Sequence, residues 1–239
     1  MTLRATIATP SGKRQFVRRL FATIAPRYDF ITRFLSCGQD RRWKTRLIHL
    51  AAIEPGDRVL DLACGTGDLL LAAEDRSPFC VGLDVTFAML QLAQRRVRAG
   101  RPLMGRLVTG DMLELPFSSS SFDVITTGYG LRNVPDLRLA LAEMHRVLAA
   151  GGRMLSLDFN RPSNPLLRAA YLAYLTLVGS TLGIVLHGDP DTYRYIPESI
   201  RLYPGASAVG TLIENTGFRD VRIVPLLGGL MAIHVAIRD

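Results

Sequence analysis

The chain predicts an α/β fold built on a mainly parallel sheet, and three observations carry that prediction. Short apolar runs alternate with stretches of helical spacing between residues 58 and 159. A Gly-rich turn, Ala63-Cys64-Gly65-Thr66-Gly67, follows the first of those runs and opens directly into a helical pattern. An acid, Asp84, ends the next run seventeen residues after Gly67, where open α/β sheets place a ribose-binding carboxylate.

Taken in order, residues 1–12 read as a loose tail. Residues 13–50 read as an N-terminal helical cap with Phe16, Leu20, Ile24, Phe34, Leu35, Trp43, Leu47 and Leu50 facing inward. The alternating part follows: strand Arg58 to Leu62, helix from Gly67, strand Phe79 to Asp84, helix Thr86 to Arg98, strand Arg106 to Thr109 and strand Phe122 to Thr127. Next come a helix from Asp136 to Leu148 and a strand from Arg153 to Phe159. Leu137, Leu141, Met144 and Leu148 recur on one helical face, and Gly151-Gly152 reads as the stop of that helix. Arg219 to Val224 and Met231 to Ile237, with a Pro225 to Gly229 turn between them, read as an antiparallel hairpin that brings the sheet to seven strands. A helical insertion over residues 160–210 completes a single domain spanning residues 13–239.

The insertion contains Ala169 to Leu186, eighteen uncharged positions in a row, which meets the lower length limit for a membrane span. Two Tyr, two Thr, Ser180, Gly179 and Gly183 dilute it, and Arg168 stands at its edge. It reads instead as an apolar helix beside the pocket at the end of the sheet, either lining a groove for a lipid tail or forming plain core.

With 239 residues, 48% of them apolar, the chain can bury one sizeable core. Cys37, Cys64 and Cys80 have neither the number nor the spacing of a disulfide framework or a zinc site, which points to a reducing compartment. Residues 1–50 hold eleven Arg/Lys against two acids, a net +9, while the remaining 18 bases and 19 acids give −1. A basic face of this kind suits an anionic membrane surface, at about 1 kcal/mol per basic side chain close to the lipid, or it is simply a solvated helix face.

The Gly-rich turn departs from the dinucleotide fingerprint, because Leu70 stands at the third glycine position. The spacing of Asp61, Gly65 and Gly67 resembles that of Rossmann-like, class I methyltransferases that use S-adenosylmethionine (SAM). A wider resemblance rests on Tyr28-Asp29-Phe30-Ile31, Ser36, Trp43-Lys44, Tyr129-Gly130-Leu131-Arg132-Asn133-Val134 and Asp191-Thr192-Tyr193-Arg194-Tyr195-Ile196. Gly110-Asp111, Leu115-Pro116-Phe117, Glu198-Ser199-Ile200-Arg201 and Gly228 to His234 extend it. Together these stretches resemble the ubiquinone/menaquinone biosynthesis C-methyltransferase family, with Gly-Leu-Arg-Asn-Val as the specific element.

The resemblance implies SAM as cofactor, with S-adenosylhomocysteine as product, and a prenylated quinol as substrate. It places Asp61, Gly65, Thr66, Gly67, Asp84, Asp111, Met112 and Gly128 at the cofactor, with Asp84 on the ribose and Asp111-Met112 beside the adenine. It places Arg132, Asn133 and Tyr28 around the methyl-accepting carbon. A ring carbon attacks a sulfonium methyl only when electron-rich, so the hydroquinol reacts and the quinone is inert; the chemistry requires no metal. Arginine stays protonated and is a poor base, so Arg132 is assigned to the developing quinolate oxygen, with a water or the Tyr28/Asn133 network relaying the proton. Of the four histidines only His234 falls in a family-matched stretch.

Thr32, Asp40, Ala149-Ala150 and Asp158 depart from the family pattern, which leaves the identity of the quinol open. The implied location is cytoplasmic, peripheral at the inner face of a membrane, and a homo-oligomer is compatible with all of this. The Arg-rich N-terminus would also suit RNA methylation, yet the chain lacks the Asn-Pro-Pro-aromatic motif of amino-nitrogen methylation and a stacking aromatic series, so no nucleic acid partner is expected. Without catalysis, the same residues would make a SAM-binding subunit of a quinone-biosynthesis complex.

Overall fold

The computed structural model describes residues 3–96 and 106–239. Seven strands, β1 (Val59–Leu62), β2 (Cys80–Asp84), β3 (Leu107–Thr109), β4 (Phe122–Gly128), β5 (Leu148–Phe159), β6 (Phe218–Leu226) and β7 (Met231–Arg238), form one sheet. Their order is β3-β2-β1-β4-β5-β7-β6. The first five pair in parallel, and β7 runs antiparallel to both β5 and β6. This is the Rossmann-like arrangement with a closing hairpin that the sequence predicts. The edges are blunted by a three-residue strand on one side and by Arg219, Asp220 and Arg222 on the other.

All four residues of β1 are buried because helices cover both faces of the sheet. On one face, Trp43, Leu47 and Ile48 of α4 (Asp40–Ala51) and Leu69 and Leu70 of α5 (Asp68–Glu74) meet Val59 and Val124. On the other, Leu141 and Met144 of α7 (Leu137–Val147) and Val209 and Ile213 of α10 (Ala206–Asn215) meet Leu60 and Ile125. The alternation of Val59 and Leu60, and of Val124 and Ile125, is the two-residue period of a strand packed on both sides. Helix α6 (Phe87–Arg95) follows β2; the predicted extension to Arg98 lies outside the described residues.

Three expectations need correction. Within the segment read as a loose tail, residues 3–12 are ordered into helices: α1 (Leu3–Ile7) buries both of its end residues, and α2 (Pro10–Ile24) starts inside the segment, with the Thr9 hydroxyl accepting from the Gly12 N–H at 3.2 Å. Phe34, on α3 (Tyr28–Leu35), is exposed and stacks on the equally exposed Phe30 instead of facing inward. The helix before β5 ends at Val147 without help from glycine, since Leu148 is already extended and pairs with Phe122. The chain then bulges through Ala149 to Gly152, where Gly151 takes φ +74°, before pairing resumes at Arg153.

The cap helices share a core of their own. Leu3, Ile7, Val17, Leu20, Ile24 and Ile31 pack with Met89 of α6 and with Tyr193 and Tyr195 of α9 (Asp191–Leu202). Helix α8 (Pro165–His187) runs beside α9 with Gly179 and Gly183 at the contact. A Cβ on Gly179 would lie 3.0 Å from the Tyr193 carbonyl oxygen, and one on Gly183 would lie 2.4 Å from that of Asp189. The other side of α8 is bare: Leu166, Ala170, Ala173, Leu177, Thr181 and Ile184, spaced as one helical stripe, are all exposed. Only 22% of its most apolar eighteen-residue window is buried, so α8 is not plain core.

Because Ile7 is only 2% exposed, Ile7→Ala should lower the unfolding free energy in urea by about 2 kcal/mol or more. A loose tail would give a change within about 0.5 kcal/mol.

Candidate active site

At the carboxyl ends of β1, β2 and β4 the backbone turns sharply. Ala63, Gly65 and Gly67 take positive φ of 51°, 55° and 89°. The Gly65 N–H donates to Asp84 Oδ2 at 2.9 Å, and the Thr86 N–H donates to Asp84 Oδ1 at 2.7 Å. Asp84 is buried, and desolvation raises its carboxyl above the ordinary range. Thr66 donates to Asp29 of α3 at 2.7 Å, and Arg96 clamps the turn through the Thr66 carbonyl at 3.0 Å and Asp68 at 2.7 Å.

Two larger cavities open at this end of the sheet. The first is a narrow cleft of about 90 Å³ lined by Gly65, Asp84, Asp111, Met112, Gly128 and Asn133, with α2 laid across it. Arg14 of α2 forms an ion pair with Asp111, and Lys13 donates to the Val134 carbonyl at 2.7 Å. Burial lowers the Lys13 ammonium to about 8. The second cavity is larger, about 400 Å³, and mostly apolar, with walls from Leu20, Ile24, Leu35, Leu175 and Ile196 around Arg132. Phe21, Tyr28 and Tyr129 line both.

Arg132 is 4% exposed. Its backbone N–H and Nε donate to Asp158 at 2.9 and 3.3 Å, Nη1 donates to Ser199, and the guanidinium lies 4.9 Å from the Phe159 ring centre. Asp158 also accepts from the Phe159 N–H at 2.8 Å, so its departure from the family pattern leaves a fully engaged carboxylate. Asn133 uses both ends of its amide: Nδ2 donates to the Tyr129 carbonyl at 2.6 Å, and Oδ1 accepts from the Tyr195 hydroxyl at 2.8 Å. The Tyr28 phenol is pushed up to about 12, chiefly by burial.

The turn and the loop after β4 thus bring together most of the predicted residues, but not on equal terms. Arg132 faces the apolar cavity, Asn133 the cleft and Tyr28 both, while Asp61, Thr66 and Asp68 line a small recess beside them with Lys44. Gly67 lines none of these spaces; its φ of 89° starts α5. His234 lies elsewhere, tying β7 to α10 through the Ala206 carbonyl at 2.8 Å. Thr32 lines the apolar cavity, whereas Ala149 and Ala150 sit in the β5 bulge away from it.

Sequence reasoning passed over Tyr129 and Lys44 as site residues and treated Asp40 only as a departure. The Tyr129 hydroxyl donates to Asp40 Oδ1 at 2.5 Å, and Lys44 bridges Asp40 and Asp68 at 2.7 Å each. The i, i+4 spacing of Asp40 and Lys44 was the available signal.

Residues 9–238 match the model of the ubiE/COQ5 methyltransferase family. A demethylmenaquinone methyltransferase of Thermus thermophilus is 41% identical over 92% of this chain and 100% of its own length. A ubiquinone/menaquinone biosynthesis C-methyltransferase of Teredinibacter turnerae is 38% identical over 94% of this chain and 92% of its own.

The chain belongs to the ubiE/COQ5 methyltransferase family.

It is a SAM-dependent C-methyltransferase. Solved methyltransferases share its fold at low identity: one from Thermotoga maritima superposes with a TM-score of 0.67 at 16% identity, covering 93% of this chain and 100% of that one. Another, from Aquifex aeolicus, gives 0.57 at 16%, covering 82% and 89%. The residues present fit SAM. Asp61, which is buried, accepts from Thr126 at 2.8 Å through Oδ1, while its Oδ2 has no partner among the described residues, an arrangement suited to an incoming ammonium. At Gly65 a Cβ would meet nothing nearer than the Ala63 carbonyl at 3.9 Å, so a side chain there would stand in the cleft.

Asp61 makes a stability prediction, because burial raises its carboxyl to about 7. That is above the unfolded value of about 3.9, so folding loses stability as pH rises through this window and the loss is complete above it. Asp61→Asn removes the dependence: relative to wild type, its stability should improve from pH 4 to pH 8 by an amount on the order of 4 kcal/mol at most. A flat difference across that range in urea titrations would contradict a half-paired buried carboxylate.

Proposed function

We propose that the chain transfers the methyl group of SAM to a ring carbon of a prenylated quinol, a demethylmenaquinol or a related benzoquinol, in respiratory or photosynthetic quinone biosynthesis. One observation carries this: Tyr28 and Tyr129 line both the cleft and the apolar cavity, so a donor in one and a ring in the other would meet across two phenols. The relatives named above act, by their names, on demethylmenaquinone or in ubiquinone and menaquinone biosynthesis.

SAM supplies an electrophilic methyl group. Asp84 keeps lone pairs on both oxygens beyond the two backbone bonds it accepts, enough for two ribose hydroxyls. Gly65, Thr66 and Gly67 shape the turn, Gly128 borders the cleft, and Asp61 Oδ2 would take the ammonium. Asp111, which pairs with Arg14, and Met112 would border the adenine in the cleft.

Asp158 and Ser199 hold two arms of the Arg132 fork, and Nη2, without a partner among the described residues, is left for a quinolate oxygen in the cavity. In a dry site such a donor stabilises developing charge strongly. Tyr28 keeps its proton at neutral pH and serves as a second donor. Asn133 fixes the loop by bonding Tyr129 and Tyr195. The helices of residues 13–50 and 160–210 wall the acceptor cavity within one methyltransferase domain.

Labelled SAM should transfer its methyl to a short-chain naphthoquinol only in the reduced form. Arg132→Lys, which keeps a charge beside Asp158 but not the planar fork, should cut kcat by roughly 10² to 10³ while SAM affinity holds. No transfer to any reduced quinol would discard the proposed activity.

The acceptor's tail lives in lipid, and we assign the protein a cytoplasmic, peripheral place at the inner face of the membrane. Two features support it. The exposed apolar stripe of α8 adjoins the cavity wall at Tyr171, Tyr174 and Leu175, and Arg27 of the basic N-terminal region reaches the Leu186 carbonyl at the end of the same helix. Binding to anionic phosphatidylglycerol vesicles should therefore weaken as salt rises. Leu177→Glu with Ile184→Glu should weaken it further and leave turnover on a short-tailed quinol intact. Equal co-sedimentation of wild type and variant would remove α8 from the contact.

A further inference from the structure

Methyl transfer to a quinol carbon releases a proton, and Arg132 cannot accept it. The Asn133 amide has no basic group, and both of its ends are engaged. Only two titratable side chains line both cavities among the described residues, Tyr28 and Tyr129. They differ in what lies behind them. The Tyr129 hydroxyl donates to Asp40 at 2.5 Å, and the other oxygen of Asp40 pairs with Lys44 at 2.7 Å. Lys44 in turn pairs with Asp68, whose side chain is 31% exposed. A continuous chain of hydrogen-bonding groups thus leads from the junction of the cavities to solvent.

The backbone supports a dedicated placement. Tyr129 sits at φ +61°, a conformation uncommon for a bulky residue that persists only where surroundings enforce it. Here the Tyr129 N–H donates to the Leu157 carbonyl at 2.7 Å, and the hydroxyl is tied to Asp40.

We infer that Tyr129 and Asp40 act as a couple that takes the hydroxyl proton of the quinol as its ring is methylated. This rests on the quinol methylation proposed above. The hydroxyl proton passes to the Tyr129 oxygen while the Tyr129 proton passes to Asp40. The freed electron pair moves into the ring, a carbon–carbon bond forms to the methyl group, and the sulfur–methyl bond breaks with its electrons kept by sulfur. The hydrogen displaced at that carbon leaves as a proton to water and the ring oxygen recovers one from the couple, so each turnover releases one proton. Tyr129 is the catalytic residue; Asp40 acts through it. Lys44, Tyr28, Asp68, Asp61 and the Asp158–Arg132 pair are the charged and titratable groups around them.

Tyr129→Phe and Asp40→Asn should each lower kcat at pH 7 by roughly 10²-fold, with the KM for a short-chain naphthoquinol and the Kd for SAM little changed. The residual rate should climb about tenfold per pH unit between pH 6 and 9, because the quinol must then ionise unaided, whereas wild type should be nearly flat above pH 7. The double variant should be no slower than either single one, as for residues acting as a unit. Tyr129→Phe turning over at the wild-type rate with the wild-type pH profile would overturn the couple, and so would a loss confined to KM. A wild type that methylates no quinol would overturn the proposed activity and the couple with it, whereas unchanged variants of an active wild type would overturn the couple alone. Should Asp40→Asn fail to fold, Tyr129→Phe, which removes one oxygen and keeps the ring, decides.

Discussion

Because β1 pairs in parallel with both β2 and β4, the loops leaving the three strands part in opposite directions at one end of the sheet and open a crevice between them. Every element of the site hangs from that divergence. The turn after β1 supplies the alternating left-handed residues, the end of β2 supplies Asp84, and the loop after β4 carries Tyr129 to Asn133. The cap helices then cover a crevice that the sheet alone would leave open.

Burial gives the site its electrical character. The Arg132–Asp158 pair is almost fully removed from water, a situation that is costly unless further hydrogen bonds complete it. Ser199 and the N–H groups of Arg132 and Phe159 supply them. A guanidinium held this way needs no reorganisation when charge develops on a nearby oxygen, which is where fixed dipoles contribute most. The same dryness raises the phenols of Tyr28 and Tyr129 and keeps their protons in place in the resting site.

Much of this was legible in the sequence, for reasons that can be named. Strands buried on both faces read as short apolar runs, and their predicted limits fall close to the observed ones at β1, β2 and β4. The turn after β1 announces itself because positive φ favours glycine. What failed did so for separate reasons. Leu3 and Ile7 form too short a pattern to signal a helix, since five residues are helical only through the core they join. Gly151-Gly152 looked like a helix stop because glycine serves bulges as readily as caps. The partnership of Tyr129 with Asp40 spans 89 positions and crosses from a strand end to a cap helix, so only the folded chain discloses it. The apolar run of α8 declared its hydrophobicity but not which side would stay uncovered.

The contact between α8 and α9 depends on what Gly179 and Gly183 lack. Backbone carbonyls of Tyr193 and Asp189 occupy the ground where side chains would stand, so the two helices approach as near as main chain allows. Since Leu175 of α8 and Ile196 of α9 both face the apolar chamber, that separation sets the chamber's gauge. Even a methyl group at either glycine would act as a wedge, prying its roof apart along one seam and changing the width of what it admits.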